Sequence, residues 1–144
     1  MDKENNIKVS GVTEHRIYDK EGNLIDSFVD NNVVVTIGRL LVAKLIAGDS
    51  TDKVTKIGFG TNGTPAQDSD SSLTSPTVKN VDAFTADETG VTFYWSLDYA
   101  EANGVSIQER GLITAANVLF ARKAHPAVAK TADIRIEGSW RINL

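Results

Sequence analysis

Apolar and polar positions alternate with a period of two along much of this 144-residue chain, the spacing of strands with one buried face. Val12 to Asp19 runs into Lys20-Glu21-Gly22-Asn23, and Leu24 to Val29 follows, so a β-hairpin is predicted there, with Asn31-Asn32 punctuating the chain beyond it. Val54 to Gly60, Val78 to Phe84 and Val91 to Tyr99 read as further strands. The last of these, VTFYWSLDY, is richest in ring and β-branched residues. Ala102-Asn103-Gly104 has the residues of a tight turn, and Val105 to Thr114 is the expected hairpin partner of Val91 to Tyr99. Val118 to Lys123 and Ile134 to Asn143 complete the set. In the last strand Ile134, Ile136, Trp140, Ile142 and Leu144 alternate with Arg135, Glu137, Arg141 and Asn143, and the slip near Gly138-Ser139 predicts a bulge.

The period changes once. Ile37, Leu40, Leu41, Lys44 and Leu45 follow helical spacing, with Thr36 placed to cap the first turn and Gly48 to end the last. Thr61 to Pro76 is dominated by Thr, Ser, Asp, Gly, Asn and Pro and reads as a long loop of the functional or mobile kind. The pattern therefore predicts one mainly-β domain over residues 1–144, with a flexible N-terminal segment 1–10. Its expected fold is an antiparallel β-sandwich or flattened barrel carrying one short α-helix at about residues 36–47.

Composition narrows the chemistry. The chain has no cysteine, hence no disulfide framework, thiolate zinc site or nucleophilic thiol. A net charge of −4 argues against a general nucleic-acid binder. The longest apolar stretch, Val33 to Ala47, is broken by Thr36, Gly38, Arg39 and Lys44, too short and too charged to span a bilayer. Charge is uneven: from Arg110 onward, Arg110, Arg122, Lys123, Lys130, Arg135 and Arg141 face only Asp133 and Glu137, and the acidic excess lies before them. Such a division either faces water along the strands or lets acidic and basic faces of neighbouring copies meet.

No catalytic constellation emerges from the spacing. Gly58-Phe59-Gly60-Thr61-Asn62-Gly63 has the letters of a dinucleotide fingerprint, but no amphipathic helix follows to hold a pyrophosphate. Its glycines are better read as letting the chain leave a strand and turn. Asp68-Ser69-Asp70-Ser71-Ser72 offers alternate oxygens without the glycine and late glutamate of a calcium loop. His15 and His125 are expected at the surface, Asp87-Glu88 beside a turn, and Trp95 and Trp140 in the core. No catalytic, cofactor-binding or metal-binding residue is assigned.

Three ordered stretches carry a resemblance. The first is Asp19-Lys20-Glu21-Gly22-Asn23-Leu24-Ile25, leading to Asn31-Asn32-Val33-Val34-Val35-Thr36-Ile37-Gly38 and the leucine-rich helix. The second is Ile57 to Ala66 with Asp68 and Leu73, which is similar to an "ALGTGTT" loop. The third is Ile107-Gln108-Glu109-Arg110-Gly111-Leu112, then Leu119-Phe120-Ala121-Arg122, Lys130 and Ile136 to Ile142 around Trp140. Together they resemble a family of small virion structural proteins of tailed bacteriophages. The chain departs from it in the charged N-terminal residues and at Ile113-Thr114. The resemblance implies a β-rich fold with no enzymatic activity and no cofactor, made in the host bacterial cytoplasm and placed on the virion, at the tail rather than the capsid surface. A tail-end subunit of baseplate, fibre or fibre-adaptor type would assemble with itself and with other virion proteins. The alternatives are a capsid decoration or head-fibre protein, and a carbohydrate-binding module for a host surface glycan. Assembly contacts are expected at Asn62, Thr64, Asp68 and Asp70 of the long loop and at Arg122 and Lys123.

Overall fold

The structure, a computed structural model, describes residues 9–144. The described residues form nine strands and a helix: β1 (Ser10–Tyr18), β2 (Leu24–Val34), α1 (Thr36–Ala47), β3 (Val54–Gly60), β4 (Thr77–Asn80), β5 (Ala83–Asp87), β6 (Gly90–Leu97), β7 (Ser106–Thr114), β8 (Leu119–Ala129) and β9 (Arg135–Asn143). The strands make one antiparallel sheet, in the order β4-β3-β7-β8-β2-β1-β9-β6-β5, curled into a half-barrel. The expected flexible segment 1–10 lies outside the described residues except for Val9 and Ser10, and Ser10 opens β1.

Two bent segments make the curl. Along most of its length β2 pairs with β1, from Asn32 opposite Gly11 back to Leu24 opposite Tyr18, and then Val33 and Val34 alone pair with Arg122 and Ala121 of β8. The second corner is the stretch expected as one strand from Val78 to Phe84. It divides: β4 pairs with β3, β5 pairs with β6, and only Val81 and Asp82 separate them. Val81 N–H donates to Thr55 O and Asp82 N–H to Tyr94 O, so the two ends of the sheet are tied at this corner. Strands that change partner at a bend are how a sheet folds over onto itself.

The main core lies between the halves. β1 turns Thr13, His15 and Ile17 inward, β6 Phe93, Trp95 and Leu97, and β9 Ile136, Gly138, Trp140 and Ile142. Ile57 and Phe59 of β3, with Leu112 of β7, oppose them. Trp95 and Trp140 are buried there, as the sequence predicts.

Four local expectations are corrected. The β6 strand pairs with β5 and β9, not with Val105–Thr114, because the Ala102-Asn103-Gly104 turn carries the chain across to β7 in the opposite half. Gly138 is not at a bulge: β9 keeps register with both neighbours, and Gly138 occupies an inward position where a Cβ would sit 2.5 Å from Trp95 Cζ2. The apparent slip is a side chain omitted to seat a ring. Gly58 and Gly60 lie inside β3 rather than at a turn, and their missing side chains make room for Leu73 and for the Glu109 carboxylate. Thr36 is the first helical residue and its hydroxyl caps nothing. The cap position is Val35, and Thr36 N–H donates instead to Asp68 O at 2.8 Å. At the other end Gly48 takes φ 74°, the left-handed conformation expected of it.

Candidate functional site

The Thr61–Pro76 loop lies over the outer face of β3, β7 and β8, and a buried ion cluster fixes it there. A register shift between Ile107 and Glu109 turns Glu109 to the outer face and Arg110 to the inner one. Arg122, opposite Gly111 on β8, faces outward beside Glu109 and donates from Nε to its Oε1 at 2.7 Å. The rest of the guanidinium holds the loop: Nη1 donates to Asp70 Oδ2, and Nη2 to the carbonyls of Asn62 and Thr64, each at 2.9 Å. Glu109 Oε2 accepts from the backbone N–H of Asn62 at 3.0 Å and of Thr74 at 2.8 Å. Leu73 anchors the cover by packing into a second apolar cluster with Val35, Ile113 and Leu119.

Four of the six residues expected at assembly contacts are therefore brought together, but around an internal clamp. Arg122 is 1% exposed, and its donors are directed into the loop rather than towards solvent. Asp68 lies exposed beside the helix start, with its carboxylate 3.6 Å from Arg39. Lys123 points to the inner face, where its ammonium reaches Asp30 of β2 at 2.8 Å. The loop is held against the sheet by this clamp.

Where β2 leaves β8, the strands diverge and a cleft of about 550 Å³ opens. Asn31 and Val33 form one wall, Pro65 and Ala66 another, and Lys123 and His125 lie at its edge. Beneath it sits a cluster that the spacing does not reveal. Across the inner face run Phe28, His15, Gly138 and Trp95, one from each of four adjacent strands. From the opposing half, Arg110 lies with Cζ 5.4 Å from the Phe28 ring centre and 5.3 Å from that of Trp95. Its Nε donates to Thr13 Oγ1 at 3.1 Å, and Nη1 donates to His15 Nδ1. His125 completes the group, its ring 5.5 Å from that of His15.

Both histidines are buried, contrary to the surface positions expected of them. The Glu-His-Arg run around His15 looks exposed, but β1 alternates, with Glu14 and Arg16 outward and His15 inward. Burial, then Arg110 and His125, pushes His15 down to about 3. Burial and Arg110 chiefly push His125 down to about 4. Burial also lowers Arg110 to about 9, which leaves it charged at neutral pH.

The arrangement is a neutral histidine pair around a cation, and among the described residues no carboxylate hydrogen-bonds either ring as it would to orient a general base. Among the described residues, no three His, Asp or Glu side chains converge to hold a metal. Asp87 ends β5 beside the turn to β6, where Arg141 donates to both its oxygens and holds its carboxyl below the usual carboxylate range. No protein-family model, curated protein or solved structure matches the chain.

Proposed function

We propose that this chain is a non-enzymatic structural subunit of a tailed-phage virion, placed at the tail end and working by packing against copies of itself and neighbouring virion proteins. One observation supports the assembly reading above the rest: large apolar side chains stand in solvent on adjoining elements. Leu24, Ile25 and Val29 of β2 are 56%, 56% and 65% exposed, and Leu40 and Ile46 of α1 are 53% and 83% exposed. The helix buries only Gly38 and Leu41. Large apolar side chains exposed at several points on two elements suit a subunit that covers them with its neighbours. The ordered resemblance to small virion proteins supplies the setting. A host-glycan role built on Trp95 or Trp140 loses its platform, since both rings are buried.

The test is mass spectrometry of particles released from the bacterium that encodes the chain and purified through a density gradient. The expected result is the chain at a copy number comparable with minor tail proteins. Particles that carry none of it would overturn the reading.

A further inference from the structure

We propose that Arg110 and His125 bind one small anion of the halide class, together with a proton, in the cavity between the two halves of the sheet. The cavity measures about 10 Å³ and is lined by His15, Phe59, Trp95, Arg110 and His125 among others, room for about one water-sized occupant. Two polar atoms on its lining residues, Arg110 Nη2 and His125 Nε2, have no protein partner among the described residues, and both side chains are more than nine-tenths buried.

The site is cationic, and among the described residues no carboxylate pairs with its guanidinium. Arg110 joins none of the ion pairs among the described residues, and the adjacent carboxylate, Glu109, faces the other side of the sheet and holds Arg122. Lys123, the other cation on this face, is matched by Asp30. A buried charge without a partner is costly, so an anion beside Arg110 is favoured. The remaining walls, Phe59, Trp95, Ile107, Val128 and Ile136, are apolar and close, which admits a monatomic anion that sheds its water and excludes a phosphate or sulfate.

Tautomers decide how the proton enters. A guanidinium has donors only, so His15 Nδ1 accepts from Arg110 and His15 stays neutral. His125 Nδ1 lies 2.8 Å from Pro126 O, which only accepts, so the hydrogen of neutral His125 is on Nδ1 and Nε2 presents a lone pair. That lone pair repels an anion and suits a bridging water. Once His125 is protonated, Nε2–H and Arg110 Nη2–H become two donors for one anion, which also screens the two cations from each other. Anion and proton therefore favour each other's binding, reciprocally. The groups that set this balance are Arg110 and Glu109 of β7, His15 of β1, Lys123 of β8 and Asp30 of β2.

The experiment is thermal unfolding of the full chain in sodium chloride against sodium gluconate at matched ionic strength, at pH 5 and pH 8. At pH 5, each tenfold rise in chloride above saturation should raise Tm by about 3–5 °C. At pH 8 the chloride effect should vanish, and Arg110→Met should abolish it at pH 5. Equal Tm in the two salts at pH 5, or an equal chloride effect at both pH values, would overturn the proposal. If Arg110→Met does not fold, crystals of the unaltered chain grown at pH 5 in sodium bromide decide the matter. An anomalous peak bridging Arg110 Nη2 and His125 Nε2 is expected, and its absence overturns the site.

Discussion

Arg122 and Glu109 meet at 2.7 Å with side chains 1% and 0% exposed, and between them they hold the backbone of Asn62, Thr64 and Thr74. Two strands and a sixteen-residue loop, 61–76, thus share one ion pair. Breaking such a pair from one side leaves an uncompensated buried charge. Glu109→Ala should therefore lower unfolding free energy by about 3–5 kcal/mol in urea titration. The loop should become the first site of limited proteolysis. Unchanged stability would show that the clamp contributes little.

The clamp also changes what a charge reversal can reveal. Arg122→Glu should fail to fold well, so it reports nothing on assembly. Lys123→Gln is the informative change: it removes the charge without setting a carboxylate against Asp30, and with the lysine side chain 19% and the Asp30 side chain 50% exposed it should cost about 1 kcal/mol. The variant should stay folded by circular dichroism and enter purified particles less efficiently. Unreduced incorporation would remove Lys123 from the contact surface.

Gly138 should not tolerate a side chain. Alanine there would press its Cβ on Trp95 at 2.5 Å and on the Glu14 carbonyl. Overpacking of this kind costs about 1–3 kcal/mol, visible as a lower urea midpoint with an unchanged slope. A Gly138→Ala chain as stable as the original would mean that β9 shifts to absorb it.

The pH dependence follows from the histidines. In the folded chain His15 and His125 are held down to about 3 and about 4, below the ordinary value near 6.5. The unfolded chain therefore binds more protons as pH falls through that ordinary value, and stability declines from about pH 6.5 towards the folded values. A tenfold difference in proton affinity between the folded and unfolded chain is worth about 1.4 kcal/mol. In gluconate buffers, urea unfolding should accordingly show a loss of a few kcal/mol between pH 7 and pH 4. His15→Gln with His125→Gln should flatten the slope. An equally steep double variant would assign the acid sensitivity to the carboxylates.

Much of the fold is legible in the sequence because it rests on local rules. The β1–β2 hairpin turns where Asp19 accepts from the N–H groups of Glu21 and Asn23 and Gly22 takes φ 82°, a turn written in the residues themselves. The helix and its glycine end are legible for the same reason. Pairing is not, since nothing local tells β6 to choose β9 over β7, or the chain to change halves at Val81-Asp82. The site is hidden more deeply. Asn62, Thr64, Asp70 and Arg122 do come together, but whether an arginine faces water or a buried carboxylate depends on the register shift before Glu109. The His15–Arg110–His125 cluster joins β1 to the β7–β8 hairpin, some ninety-five residues further along the chain. Its one signal in the sequence is that β1, read strictly in twos, places His15 on the face of Ile17.

The proposed assembly role rests on exposed apolar side chains of α1 and β2. Leu40→Asp with Ile46→Asp should leave stability within about 0.5 kcal/mol, as surface changes do, while reducing incorporation into particles. Full incorporation of the double variant would place the contact elsewhere.

The most direct measurement is immunogold electron microscopy of purified particles with an antibody to this chain. Gold at the tail end is the expected result. Gold spread over the shell would contradict the tail placement, and unlabelled particles would contradict the virion role itself.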